Sequence, residues 1–132
     1  MINKELSLAV AKVLIAAAWV DGVVQPEEER FLTDFIPRMP GIEEQTWDDL
    51  SPMLEQPIYE AERIRLLRDM RNLIIDQKDR RFAIQAINQL FISDGEIAPE
   101  EEEAVRQMVS IINGDENAVY QEMLKMIQRL AS

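Results

Sequence analysis

Apolar residues recur at steps of three and four from the start of the chain: Ile2, Leu6, Ala9, Val10, Val13, Leu14 and Ala17. That period places them on one stripe of an amphipathic helix. Asp21-Gly22 ends the pattern, since glycine takes the left-handed conformation that closes helices at little steric cost. Pro26 then opens a second helix, with Glu27, Glu28 and Glu29 in the first turn, where the helix dipole favours negative charge. Its apolar positions are Phe31, Leu32, Phe35 and Ile36, and it stops before Pro37 and Pro40-Gly41. Residues 42–57 predict one or two short helices broken near Pro52 and Pro57, with Trp47 and Leu50 facing inward.

A long helix follows over residues 58–76, buried through Ile64, Leu67, Met70 and Ile74. Asp79 is placed to cap the next one, which buries Phe82, Ala86, Ile87 and Leu90 and ends at a second Asp94-Gly95. Pro99 opens a helix running to Asn113-Gly114 through Val105, Met108, Val109 and Ile112. Asp115 caps a last one, with Val119, Met123, Met126, Ile127 and Leu130 inside. No segment alternates as a strand would. The pattern predicts an all-α, single-domain helical bundle of about seven helices over residues 1–132.

The two Asp-Gly stops belong to a repeat. At an offset of 73, "DGVVQPEEE" from Asp21 superposes on "DGEIAPEEE" from Asp94. Each copy is a helix–loop–helix unit, and two such hairpins packed about a pseudo-twofold axis would share one core. The loop superficially resembles half of an EF-hand. Placing Gly22 at the sixth loop position puts Asp21 fifth, Val24 eighth and Glu28 twelfth. Positions one and three, however, are Ala17 and Trp19 in one copy and Leu90 and Ile92 in the other. Apolar residues there exclude a true EF-hand.

Composition narrows the chemistry. The 132 residues contain no histidine and no cysteine, which removes disulfides, thiolate or imidazole zinc sites, and thiol or Ser-His nucleophiles. No glycine-rich phosphate loop is present either. These absences make an enzyme the weakest class. A net charge of −11 argues against nucleic acid and against adsorption to an anionic membrane. The charge is polarised, with six acids and no base in residues 94–103. Arg63, Arg65, Arg68, Arg71, Lys78, Arg80 and Arg81 gather in the middle of the chain. Such polarity suits docking onto a protein partner. No stretch is apolar for long enough to insert into a bilayer. The N-terminal run imitates a signal peptide up to Ala16-Ala17-Ala18, but Lys12 interrupts it and residues 82–93 repeat it, so a cytoplasmic location is expected.

The duplicated D-G-x-[VI]-x-P-E-E segments, following helices rich in alanine and large apolar residues in a chain of this length, resemble the TerB-like tellurite-resistance family. That family's fold also resembles the N-terminal domain of the co-chaperone DjlA. The resemblance implies a role in tellurite and related chemical stress, with membrane-associated protein partners such as TerC. It also implies that Asp21 with Glu28, and Asp94 with Glu101, hold divalent cations. Oxygen donors alone would prefer a hard ion, calcium, magnesium or manganese.

The residues themselves leave a second reading open. Asp21 can accept loop amides as an Asx turn does, and Glu28 can fold back on its helix start, so that both serve folding alone. Two carboxylates per loop are few for tight cation binding. The expected function is therefore non-enzymatic: a stress-associated docking protein with weak cation binding. The alternative is a purely structural, co-chaperone-type interaction domain whose acidic loops only cap helices.

Overall fold

Asn3 starts the first helix by accepting the N–H of Leu6 on its side-chain oxygen at 2.8 Å, which satisfies one of the donors that a helix start leaves over. Helix α1 (Lys4–Ala18) then runs into the core. Leu6, Val10 and Ala11 are buried, and from Val13 to Ala18 every residue is. The single stripe expected from periodicity is thus exceeded. Alanines 16, 17 and 18 lack bulk, so neighbouring helices approach this end of α1 from several sides. Helices α2 (Pro26–Phe35), α4 (Glu60–Leu73) and α5 (Gln77–Ile92) all pack on it.

The computed structural model describes residues 2–93 and 99–113. Between α2 and α4 lie a 3-10 turn (Ile36–Arg38), the short helix α3 (Glu44–Leu50) and a second 3-10 turn (Ser51–Leu54). Helix α6 (Pro99–Ile112) packs against α4 and α5. Among the described residues there are six α-helices and no strand, in agreement with an all-α bundle. The expected helix after Asp115, with Val119, Met123, Met126, Ile127 and Leu130, lies outside the described residues. Among the described residues no helix is long and apolar enough to cross a membrane.

Two boundaries differ from the sequence reading. Helix α4 is shorter than 58–76, because Ile74 turns to an extended conformation (ψ 122°) and reverses the chain. The cap of α5 is Asp76, not Asp79: the Asp76 carboxylate accepts the N–H of Asp79 at 3.0 Å. Asp79 sits three residues into the helix, buried, and reaches back to accept the N–H of Ile75 at 2.9 Å. Both acids are therefore spent on fixing one turn.

The segment between α2 and α4 is tied to α1 at both ends of that helix. The Trp19 indole donates to the carbonyl of Met53 at 3.1 Å, holding the second 3-10 turn over the C-terminus of α1. At the other end, Gly41 adopts φ +79°, and a Cβ there would stand 2.9 Å from Cβ and 3.1 Å from Cα of Lys4. Gly22 has φ +85° but open space around it.

These two glycines separate conformational cost from steric cost. Gly22→Ala should lose about 1–2 kcal/mol, the left-handed penalty alone. Gly41→Ala should lose more, because the Lys4 backbone must also give way. Urea denaturation of both variants checks the order, and an equal loss would contradict the close approach.

Candidate functional site

The first acidic loop begins where α1 leaves the core. Trp19 closes α1 as its C-cap, its N–H donating to the carbonyl of Ala16 at 3.1 Å. Gly22 then donates to the carbonyl of Trp19 at 2.9 Å. Asp21 is exposed, and its carboxylate accepts the N–H of Val23 at 3.4 Å, a long Asx-type contact. Gln25 caps α2 with an extended backbone, and Pro26 takes the first helical position.

Glu28, the third residue of α2, is only 4% exposed. Its carboxylate accepts the N–H of Gln25 at 3.1 Å, the reciprocal contact of a capping box. Glu27 and Glu29 on either side face solvent. The capping contact also places the Glu28 carboxylate at the positive end of the helix dipole, where an acceptor for unpaired amides is favoured.

The second loop is described only in part. Asp94 lies outside the described residues. Glu101 is the third residue of α6, as Glu28 is of α2, and it too is buried, at 7% exposure. The repeat therefore carries one physical feature in both copies: a glutamate withdrawn from solvent in the first turn of the second helix, followed by an exposed one, Glu29 or Glu102. Among the described residues, no three acidic side chains converge as a set that could hold a metal ion.

The basic cluster divides by environment. Arg63 is buried, and loss of hydration pushes its guanidinium below its ordinary pKa, partly offset by the charge of Glu60. Arg65 bonds Glu62, its Nε at 2.9 Å from one carboxylate oxygen, and pairs with Asp69 at 3.3 Å. That bond to Arg65 holds the exposed Glu62 carboxyl below the usual range. Lys78 and Arg81, in the first turns of α5, are exposed. A groove of about 300 Å³ between α1 and α4 has a floor of Leu8, Ala9, Leu66 and Leu73. Its rim carries Glu5 and Asp69 as well as Lys12 and Arg65, so it favours no ligand of one charge.

Two features escaped sequence reasoning. Trp19 is a brace as well as core filler, through its indole N–H. Ile75 is the other, 84% exposed although it ends an apolar run, Leu73-Ile74-Ile75, that reads as buried helix.

Comparison with known proteins assigns a family. The model of the family described as tellurite resistance protein TerB matches residues 7–123, and the chain belongs to that family. No curated protein and no solved structure matches the chain.

The family match spans both loops, and substitution separates the roles within the first. Glu28→Ala should cost about 1 kcal/mol or more, as loss of a helix-start contact does. Glu28→Gln should cost less, because glutamine still presents an acceptor to the Gln25 N–H. Asp21→Asn should stay within about 0.5 kcal/mol of wild type, as exposed positions do. Thermal or urea unfolding in chelator reads all three; equal losses for Glu28→Ala and Asp21→Asn would contradict the assignment.

Proposed function

We propose that this TerB-family chain is a cytoplasmic, non-enzymatic protein of the tellurite and chemical-stress response, and that it works by docking onto another protein. The observation that carries this reading is the combination of family membership with a chain devoid of histidine and cysteine. Catalysis would be left to carboxylates. The described carboxylates of the first loop are instead engaged with backbone amides: Glu28 with Gln25, Asp21 with Val23. The polarised charge supports a docking role, because complementary fields steer partners and reject wrong ones.

Cation binding is the second part of the proposal. Asp21 with Glu28, and Asp94 with Glu101, would supply the side-chain oxygens, with loop carbonyls and water completing the shell. The exposed Asp21 carboxylate favours such a site, whereas Glu28 would have to share its oxygens with the Gln25 N–H. Affinity should therefore be weak, on the order of 10⁻⁴ M, as in sites with few charged ligands. A hard ion, calcium, magnesium or manganese, fits donors of this kind.

Thermal unfolding with each ion and with chelator tests the cation. At a hundredfold excess over the dissociation constant, a filled site adds about 2.7 kcal/mol to stability. The wild type should gain, and Asp21→Asn with Glu28→Gln, or Asp94→Asn with Glu101→Gln, should each lose part of the gain. If the ion changes nothing while the substitutions still cost stability in chelator, the loops are caps and bind no cation. Photo-crosslinking in the native host tests docking: a discrete protein adduct is expected. A robust hydrolase activity, or cleavage of the chain after Ala18 in that host, would contradict the class or the location.

A further inference from the structure

The reversal between α4 and α5 displays an exposed isoleucine. Ile75 is the most exposed large apolar side chain among the described residues, at 84%. It is also firmly held. Its N–H donates to the buried Asp79 carboxylate at 2.9 Å, while Asp76 caps the same helix start at 3.0 Å. The preceding Ile74 N–H donates to the Arg71 carbonyl at 3.1 Å. An apolar side chain on a fixed turn loses little backbone freedom when a partner covers it, which is the condition for an anchor.

The charge around Ile75 runs against that of the molecule. Residues 68–81 hold Arg68, Arg71, Lys78, Arg80 and Arg81 against three acids, in a chain of net charge −11. Asp69 pairs with Arg65, and Asp76 and Asp79 turn their carboxylates to N–H groups of the reversal, which leaves their charges in place. Five bases against three acids give residues 68–81 a net charge of +2. Lys78 and Arg81 meanwhile stand exposed. This corner thus carries a modest net positive charge and an exposed isoleucine on an acidic protein.

We propose that the α4–α5 corner is a docking surface for an acidic segment of a partner protein, with Ile75 as the apolar anchor and Lys78 and Arg81 as the pairing cations. The proposal deepens the docking function argued above and rests on it. Charge selects the partner. An acidic segment is attracted here and repelled by the loops around Glu27, Glu29 and Glu102. An extended anionic bilayer meets the whole field of the chain, and one isoleucine offers too little apolar area to offset that repulsion. A protein segment narrow enough to contact the corner alone avoids it.

The test maps binding on the intact chain by amide chemical shifts. Three probes are titrated: a synthetic Glu/Leu amphipathic peptide, its Lys/Leu counterpart, and vesicles containing phosphatidylserine. The acidic peptide should shift amides of residues 71–81 and weaken as salt is raised. Ile75→Asp should reduce its affinity about tenfold or more, the effect of losing one buried aliphatic anchor. Lys78→Glu with Arg81→Glu should reduce it similarly and flatten the salt dependence. All of these side chains are exposed, so the variants should unfold like wild type. Shifts centred elsewhere, a response to vesicles but not to peptide, or no response to any probe would each overturn the proposal. If crosslinking in the host still captures a partner with Ile75→Asp at wild-type yield, the docking function stands and this surface is wrong.

Discussion

Ten of the fifteen residues of α1 are buried, and along its last turns no side is left to solvent. A helix in that position cannot be stabilised by one neighbour; it needs several, and its alanines set how closely they come. Helices α2, α4 and α5 supply the cover, and the segment from Ile36 to Leu54 is stitched to both ends of α1, at Lys4 through Gly41 and at Trp19 through Met53. The hydrophobic driving force for this arrangement is the removal of α1 from water. The loops follow from it. A chain leaving so buried a helix must turn sharply, and Gly22, with its positive φ, makes the turn.

The repeated acidic motif then acquires a physical meaning before any ligand is considered. Each second helix begins with proline and carries a buried glutamate as its third residue, Glu28 in α2 and Glu101 in α6. Proline presets the first helical turn, and for α2 the glutamate satisfies an amide that the turn would otherwise leave over. The two units are not equivalent in their surroundings. Trp19 is covered by the 3-10 turn at Ser51–Leu54, whereas its repeat counterpart Ile92 is 62% exposed. The segment between α2 and α4 therefore braces the first unit, and residues 42–57 have a structural role that no motif announces.

Periodicity and punctuation made most of the helices legible. The prolines at 26 and 99 open α2 and α6 where expected, and Phe82, Ala86, Ile87 and Leu90 of α5 and Val105, Met108 and Ile112 of α6 face the core. The errors have physical causes. A hydrophobic stripe records one buried face, and Ala11, Ala16 and Ala18, weakly apolar and small, do not betray a second. Asp76 and Asp79 lie within one turn and both suit a helix start; which is the cap depends on where the backbone becomes helical. Ile75 extends an apolar run, and only the reversal at Ile74 places it outside. For the candidate site, the acids at Asp21 and Glu28 were legible, but their roles were not. A metal ligand and a reciprocal helix cap demand the same residue at the same spacing; what the structure adds is that Glu28 is buried and accepts the Gln25 N–H.

The burial of α1 as the common support of the fold is open to one direct measurement. Native-state hydrogen exchange reports, amide by amide, whether a segment opens locally or only with global unfolding. Amides of residues 10–18 should be the slowest in the chain and exchange with the free energy of global unfolding, tracking denaturant as the whole protein does. Exchange of those amides at a lower free energy than the amides in the middle of α5 would contradict the account, because α1 could then leave the core while its neighbours stayed folded.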